Sequence, residues 1–345
     1  MLYRLAVTLR NARYDRGAGV GPHPGVPVIS VGNLTTGGTG KTPLVIEIAR
    51  RLRDAGPRPA ILTRGYRGSR ERPADEVLEL RAALPDVPVV VDADRLAGAR
   101  EAIERHGADV LVLDDGFQHR RMPRDLDIVL IDALDPWGGG RLLPAGRLRE
   151  PRESLERADV VVVTRCNQVS PAAADHLVAE VQALNDQAVV VRAAVEPAGL
   201  WGLDDASLEL ETLAYRCVMP VSGIGNPESF ERLLHERVGR LVEPLRFGDH
   251  HRYRPGDVTR IVRAARLREA DTIVTTRKDW PKLAPLWREV PIREPELLRL
   301  EVRTTLEREG EALWRAVSEA VPALAGGLPV SRSGHRRVLR LTDLE

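Results

Sequence analysis

The stretch Thr35-Thr36-Gly37-Gly38-Thr39-Gly40-Lys41-Thr42 is typical of a phosphate-binding loop. It lies between an apolar run, Val26–Val31, and a stretch with helical patterning that begins at Pro43. In this setting the glycines let backbone amides converge on phosphate oxygens, and the helix N-terminus adds partial positive charge. We therefore expect residues 35–42 to bind ATP, with Lys41 on the β- and γ-phosphates and Thr42 on Mg²⁺.

The loop departs from the strict phosphate-loop pattern at one position. That pattern begins with glycine, whereas this chain has Thr35, so the loop is of the x-G-G-x-G-K-T kind. The alternative is a glycine-rich turn between strand and helix that binds no nucleotide. The adjacent lysine and threonine, together with the strand and helix on either side, favour the phosphate loop.

A second motif, Val110-Leu111-Val112-Leu113-Asp114-Asp115, is an apolar run that ends in two carboxylates. A strand that ends in two aspartates is by itself most often followed by an ordinary turn. Downstream of a phosphate loop, however, the pattern indicates a Walker B strand, whose acid lies beside Mg²⁺. We therefore expect Asp114 and Asp115 to bind or orient the metal.

The remaining pattern predicts an α/β fold. Near-continuous apolar runs imply a parallel sheet that is buried on both faces. Between the runs, Pro43–Ala55 and Arg95–His106 have the patterning of crossover helices. The apolar runs are Val26–Val31, Ala60–Thr63, Val87–Val91, Val110–Leu113, Ile128–Ile131 and Val160–Thr164.

A second set of apolar runs indicates a smaller α/β domain. Its predicted strands are Val218–Ile224, Thr272–Thr276 and Leu297–Val302, and its predicted helices are Pro227–Arg237 and Gly256–Leu267. The stretch Glu196–Tyr215 has a loop-like composition. We therefore predict a P-loop domain over residues 1–195, a linker over 196–216 and a smaller domain over 217–345. The last amphipathic stretch, Leu306–Val321, is compatible with packing on either domain.

Composition excludes several classes of protein. The chain has 345 residues, 51 basic and 50 acidic, and this balance gives no indication of nucleic-acid binding. Cys166 and Cys217 are the only cysteines, which favours a reducing cytoplasm over a disulfide framework or zinc site. Only Lys41, Lys278 and Lys282 are lysines, and against so strong an arginine bias a lysine is a weak indication of a functional site.

Several motifs resemble those of the tetraacyldisaccharide 4′-kinase family, in family order from about residue 3 to residue 282. In the first half they are Val31-Gly32-Asn33-Leu34-Thr35, Thr63-Arg64-Gly65-Tyr66, Asp114-Asp115-Gly116-Phe117-Gln118-His119 and Leu143-Pro144-Ala145-Gly146-Arg147-Leu148-Arg149-Glu150-Pro151. In the second half they are Gly223-Ile224-Gly225-Asn226-Pro227, Asp249-His250-His251 and Thr275-Thr276-Arg277-Lys278-Asp279.

This resemblance implies a specific activity, the transfer of the ATP γ-phosphate to the 4′-hydroxyl of a tetraacylated glucosamine disaccharide 1-phosphate in lipid A biosynthesis. It implies two α/β domains with the active site in the cleft between them. It also implies a catalytic Asp–His pair, which by motif position is Asp75 and His250 in this chain. Taken alone, Asp75 has the pattern of an exposed loop acid. For His250 the alternative is a half-buried structural histidine, but its setting in Asp249-His250-His251-Arg252 favours a functional role.

The chain departs from the family pattern in four places. A Gly-Asp-Glu stretch of relatives is Ala74-Asp75-Glu76 here and follows a short loop. The usual T-T-E-K-D motif carries Arg277, and Leu148 follows Arg147 in a motif that often has Gly-Pro before it. The N-terminal apolar segment is also shorter than in most relatives.

Other residues in these motifs are candidates for contacts with substrate or metal. Glu150 is a candidate metal or nucleotide contact, or the first residue of a helix beside Pro151. Gln118 and Arg64 are candidate substrate contacts. For Lys278, a bond to a substrate phosphate and a structural ion pair both remain open.

The N-terminal segment has apolar residues at positions 1, 2, 5, 6 and 9, which form one helical face. Arg4, Arg10, Arg13 and Arg16 supply positive charge. One interpretation is an interfacial helix on an anionic membrane, and the other is a helix packed on the protein's own core. An acylated substrate favours the membrane. We therefore expect peripheral or monotopic attachment at the cytoplasmic face of the inner membrane.

Two other classes of function remain open. A MinD- or partition-type ATPase switch uses a similar loop but usually has lysine at the position of Thr36, and it leaves Asp249-His250-His251 without a role. A non-enzymatic nucleotide-binding module is the third possibility. ATP turnover that depends on a lipid disaccharide distinguishes the three.

Overall fold

The structure is a computed structural model and describes residues 2–65, 75–291, 294–307 and 310–324. Tyr66, Ala74 and the short loop before Asp75, which entered the family comparison, lie outside the described residues, as does the chain after residue 324.

The helices and strands alternate along most of the chain, as the apolar runs predict. The helices are α1 (Leu2–Asp15), α2 (Lys41–Asp54), α3 (Asp75–Ala83), α4 (Arg95–His106), α5 (Pro171–Leu184), α6 (Pro227–His235), α7 (Pro255–Leu267), α8 (Trp280–Arg288) and α9 (Gly310–Ala320). The strands are β1 (Val28–Asn33), β2 (Pro59–Thr63), β3 (Val89–Val91), β4 (Val110–Asp114), β5 (Leu126–Asp132), β6 (Val160–Thr164), β7 (Val189–Trp201), β8 (Ser207–Leu208), β9 (Cys217–Ser222), β10 (Arg240–Leu241), β11 (Leu245–Arg246), β12 (Thr272–Thr276) and β13 (Glu296–Leu306).

The strands form one sheet in the order β10-β9-β12-β13-β7-β6-β5-β1-β4-β2-β3. Within this order, neighbouring strands are parallel along the part of the sheet from β7 to β3, and also along the part from β10 to β13. The phosphate-loop strand β1 lies between β4 and β5, and Val31 is in register with Asp114. The ends of β1 and β4 therefore meet at one edge of the sheet, where parallel α/β sheets bind ligands.

Strand β7 joins the two parallel regions of the sheet. Its first residues pair in parallel with β6, and its last residues pair antiparallel with β13. The prediction of a loop over Glu196–Tyr215 is therefore wrong for residues 196–201, which belong to β7. Pro197 and Gly199 suggested a loop, but they lie at a register shift opposite Glu301 and Val302. A bulge accommodates proline and glycine without ending the strand.

The hydrophobic core covers both faces of the first parallel region, which confirms the predicted fold class. Strands β1, β4, β5 and β6 are buried along their whole length. Helix α9 packs on the same core as α2, through Leu313 and Val317, and Arg51 lies over the ring of Trp314 at 3.9 Å. The last helix thus returns to the first sheet region, which decides between the two packings that the sequence left open.

Candidate functional site

The phosphate loop has the backbone shape that its glycines predict. Gly37 and Gly40 have φ angles of 116° and 90°, a region that side chains disfavour. Helix α2 begins directly afterwards at Lys41. The amides of its first turn lack helical partners, so they remain available for an anion.

Side chains from neighbouring strands fix the carbonyl groups of this loop. Arg165 Nη2 donates to the Gly38 carbonyl at 2.7 Å, and Thr164 Oγ1 donates to the Thr39 carbonyl at 3.0 Å. Asn33 Nδ2 donates to Thr39 Oγ1 at 3.1 Å. Because these carbonyls already have partners, they are kept from turning toward a bound phosphate, which they would repel.

The two acids that follow β4 have opposite electrostatic environments. Burial and the neighbouring Asp115 raise the pKa of Asp114 to about 6, and Asp114 Oδ2 accepts a bond from Thr63 Oγ1 at 3.2 Å. Burial also acts to raise the pKa of Asp115, but Lys41 and Arg149 outweigh it and bring that pKa to about 2. Lys41 Nζ lies 3.3 Å from Asp115 Oδ1, and Arg149 Nη1 lies 2.6 Å from Oδ2. Asp115 is therefore ionised at neutral pH.

The donor atoms around these acids suit a hard cation. Thr42 lines the same cavity as Asp114 and Asp115 and carries a hydroxyl. Across the part of the chain that the structure describes, no cluster of three or more His, Cys, Asp or Glu residues is arranged to hold a metal. Mg²⁺ sites in nucleotide-binding proteins typically have few protein ligands, all of them oxygen atoms, and phosphate and water complete the coordination of the ion.

Asp75 and His250 lie side by side. Asp75 begins α3, and His250 follows β11 with a left-handed φ of 61°. His250 Nδ1 lies 3.3 Å from Asp75 Oδ2, and Lys282 Nζ lies 3.0 Å from the same oxygen. Burial opposes ionisation of Asp75, but Lys282 and then His250 outweigh it, so the pKa of Asp75 is lowered.

The other ring nitrogen of His250 faces two charged groups. Lys278 Nζ lies 3.4 Å from Nε2 and 2.9 Å from Asp249 Oδ1, while Asp249 Oδ2 lies 3.7 Å from Nε2. Since a carboxylate accepts at Nδ1, the proton of a neutral imidazole is on Nδ1, and Nε2 is the accepting nitrogen, which faces Lys278 in this structure.

Helix α1 attaches to the body of the protein through its polar residues. Tyr3 Oη donates to the Arg149 carbonyl at 2.9 Å, and Arg10 and Asn11 donate to the Glu150 carboxylate at 2.9 and 3.0 Å. Leu5 and Leu9 are 57% and 62% exposed. The described side chains of the apolar stripe, Leu5, Ala6 and Leu9, are thus turned to solvent, although Val7 is buried.

The remaining predicted residues differ in their surroundings. Glu150 has no exposed surface and also accepts a bond from Arg157 at 2.8 Å, so three side chains already donate to its carboxylate. Gln118 donates to the Asn33 carbonyl at 2.9 Å and accepts from Arg149 at 3.3 Å. Gln118 and Arg64 both line the central cavity.

That cavity has a volume of about 950 Å³ and is open to solvent. The phosphate loop, the acid pair, α1 and the segments around Asn226 and His250 all line it. The basic character of this cavity was not predicted from the sequence. The arginines that line it are Arg10, Arg64, Arg95, Arg120, Arg121, Arg149 and Arg165.

His119 also lines the cavity and received no role from the sequence. Burial, and then the nearby Arg95 and Arg124, lower the pKa of its imidazole to about 4. His119 follows the Walker B acids in the same motif, and this position could have marked it as a site residue from the sequence. Arg149 had a similar signal, since it precedes Glu150 in a motif already singled out.

A phosphate loop, an adjacent acid pair and an arginine-lined cavity on a parallel α/β sheet define a P-loop nucleotide-binding protein. The profile of the tetraacyldisaccharide-1-P 4′-kinase family matches residues 1–321. The chain belongs to this family.

Individual relatives agree with this assignment. The tetraacyldisaccharide 4′-kinase of Syntrophus aciditrophicus (strain SB) is 43% identical over 313 residues, 83% of each chain. The enzyme of the same name from Halothermothrix orenii is 37% identical over 311 residues, 82% of this chain and 81% of the relative. The crystal structure of the apo form of LpxK from Aquifex aeolicus in complex with ATP is 31% identical, with a TM-score of 0.68 over 92% of this chain and 96% of that one.

These comparisons confirm the predicted family and the predicted enzyme class, an ATP-dependent kinase. The MinC–MinD complex of Aquifex aeolicus has a TM-score of 0.31 at 16% identity, which carries no argument for the ATPase-switch alternative. None of the described helices is both long and apolar enough to cross a membrane.

Proposed function

We propose that this protein transfers the γ-phosphate of ATP to the 4′-hydroxyl of a tetraacylated glucosamine disaccharide 1-phosphate, a step of lipid A biosynthesis. The observation that carries the proposal is the contact of Asp75 with His250, beside the cavity that holds the phosphate loop. That arrangement sets a proton acceptor opposite a nucleotide site, as kinases of hydroxyl groups require.

In this proposal residues 35–42 bind ATP, and Lys41 neutralises charge on the β- and γ-phosphates. Thr42, Asp114 and Asp115 would hold Mg²⁺, which would offset the negative charge of the phosphates. Lys41 already lies 3.3 Å from Asp115, so a nucleotide would draw it from a carboxylate to a phosphate. Arg149 remains to orient Asp115.

Proton transfer runs through Nε2 of His250. As the sugar oxygen bonds to the γ-phosphorus, the bond from phosphorus to the β-γ bridging oxygen breaks, and ADP leaves with that electron pair. The hydroxyl proton passes to Nε2, and Asp75 stabilises the imidazolium through Nδ1–H. Lys278 lies 3.4 Å from Nε2, so it must move before Nε2 can accept a proton, and a phosphate in the cavity gives it a new partner.

The proposed division into domains places these residues on both sides of the cleft. Residues 1–195 supply the phosphate loop, the acid pair and Asp75, and residues 217–345 supply His250 and Lys278, with 196–216 between them. The two sides already meet at the contact of Asp75 with His250, and closure of the cleft on both substrates would bring this pair against the γ-phosphate. Arg64 and Gln118 line the cavity and are our candidates for contacts with the sugar or its phosphate.

The acylated acceptor is reached from the cytoplasmic face of the inner membrane through peripheral or monotopic attachment. Leu5 and Leu9 project from α1 into solvent, next to arginines suited to anionic headgroups. Tyr3 and Arg10 on the same helix line the cavity. Helix α1 would therefore hold the mouth of the active site at the lipid surface.

The decisive experiment mixes purified protein, Mg-ATP and tetraacyldisaccharide 1-phosphate and follows both ADP and the phosphorylated lipid. We expect one lipid phosphorylated for each ADP formed. ATP turnover that does not depend on the lipid would instead identify an ATPase switch.

A further inference from the structure

We propose that Lys282 is a positioning residue for phosphoryl transfer, which acts by fixing the Asp75 carboxylate against His250. The inference rests on the proposed function of that pair. Lys282 is the third residue of α8, and Asp75 is the first residue of α3, 207 positions away. No specific role was predicted for Lys282 from the sequence.

The geometry makes Asp75 the centre of a three-residue contact. Lys282 Nζ and His250 Nδ1 both donate to Oδ2 of Asp75, at 3.0 and 3.3 Å. The Lys282 side chain is only 17% exposed, so water screens this pair less than a surface salt bridge. Two donors on one oxygen fix both the position and the orientation of the carboxylate.

Lys282 also forms an ion pair with a buried carboxylate, Asp279. Its Nζ lies 3.4 Å from Oδ1 of Asp279, which has no exposed surface. Oδ2 of Asp279 accepts from the Gly223 amide and from Thr276 Oγ1, both at 2.8 Å. The order Asp279–Lys282–Asp75–His250 therefore ties the Asp75 carboxylate to the ends of β9 and β12.

The three lysines of the chain have separate positions in this region. Lys41 and Lys278 line the cavity, where they can meet a phosphate, whereas Lys282 is not among the described residues that line it. The bond from Lys282 to Asp75 is therefore its route to the reacting atoms. Asp75 in turn keeps the Nδ1–H tautomer of His250 and leaves Nε2 as the proton acceptor.

The first test replaces the ammonium with a neutral chain of similar length. We expect Lys282→Met to lower kcat by about 10²-fold, the scale of loss from displacing a catalytic group by roughly 1 Å, with the KM for ATP unchanged. Lys282→Cys treated with 2-bromoethylamine regains an amine at almost the original position and should regain most of the lost kcat. The same variant treated with iodoacetamide, and treated wild-type protein, control for Cys166 and Cys217.

A double-mutant cycle separates the possible outcomes. In an Asp75→Asn background, Lys282→Met should lower kcat by less than about threefold, because the contact through which Lys282 acts is already lost. A full additional loss in that background, or a folded Lys282→Met with near-normal kcat, would overturn the proposal. If Asp75→Asn itself retains normal kcat, the proposed catalytic pair fails instead.

Lys282→Met removes the cation beside the buried Asp279, which can destabilise the fold. If the single variant unfolds, the charge-balanced double variant Lys282→Met with Asp279→Asn is tested in its place. We expect this pair to show the same loss of kcat, and near-normal kcat in the folded pair would equally refute the role of Lys282.

Discussion

His250 Nδ1 lies 3.3 Å from Asp75 Oδ2, although 175 positions separate the two residues in the chain. A proton acceptor and the group that orients it lose function together, so we expect the two to act as one unit. Asp75→Ala and His250→Ala should each lower kcat by roughly 10²–10⁴-fold, and the double variant should be little worse than either. Steady-state kinetics of the four proteins measures this coupling. Additive losses would mean that the residues act independently, and near-normal Asp75→Ala would point to another acid, such as Glu76.

Lys41→Ala should abolish most phosphoryl transfer while the protein remains folded. The lost ammonium stabilises phosphate oxygens in the transition state, and loss of one such group typically costs about 3–4 kcal/mol, on the order of 10²–10³-fold in kcat. Lipid phosphorylation measures the loss of activity, and thermal unfolding shows whether the variant remains folded. Arg50→Ala, an exposed change on the same helix, is the matched control. A folded Lys41→Ala with normal turnover would contradict the kinase mechanism.

Asp115→Asn should raise the Mg²⁺ concentration needed for half-maximal activity, because an anionic oxygen ligand becomes neutral. The substitution also releases Lys41 and Arg149 from their carboxylate. A titration of Mg²⁺ at saturating ATP measures the shift, with the exposed Asp54→Asn as control. An unchanged Mg²⁺ requirement in an active variant would remove Asp115 from the metal site.

Leu5→Gln with Leu9→Gln should release the protein from vesicles that contain anionic lipid and raise the apparent KM for the acylated acceptor. Both side chains are exposed, so the change should leave the fold intact, whereas deletion of the segment would also strip partners from Glu150. Co-sedimentation measures binding. Leu267→Gln, at a leucine that is 75% exposed on α7, is the matched control. If both variants bind like the unmodified protein, α1 is not the membrane contact.

His119 should make the protein less stable in mild acid. Its folded-state pKa of about 4 lies below the ordinary 6.5, so the unfolded chain takes up a proton that the folded protein does not. This contribution to stability is fully present above pH 6.5 and is lost as the pH drops toward 4. Because His119 is only partly buried, water screens part of the effect, so urea unfolding at pH 7 and pH 5 should differ by on the order of 1 kcal/mol less in His119→Asn than in the exposed His106→Asn. Equal differences would exclude this contribution.

Local sequence signals predicted those parts of the fold that depend on neighbouring residues. Helix α4 was placed at its observed bounds, and Asp94 and Gly107 cap its two ends. Strands β6 and β12 were also placed at their observed bounds, because each is a short β-branched run buried on both faces. The end of β7 was missed because pairing with β13, distant in sequence, keeps Pro197 within a strand.

The same distinction holds at the site. The phosphate loop and the Walker B acids are continuous motifs, and the sequence places them directly. The pairing of Asp75 with His250 was inferred from family resemblance, since no local pattern joins residues so far apart. Lys282 and Arg149 acquire their partners only through tertiary packing, so the rarity of lysine and the motif around Arg149 were weak signals that named no partner.

Helix α9 follows every strand of the second region in the chain, yet it shields the sheet of the first. A fragment that stopped at residue 195 would keep the nucleotide motifs but present bare leucine and valine surface to water, and such surface promotes aggregation. Supplying residues 310–324 as a separate peptide should restore part of its solubility. The order of synthesis also matters, because the nucleotide-binding half cannot complete its core until the ribosome has made the helix that closes it.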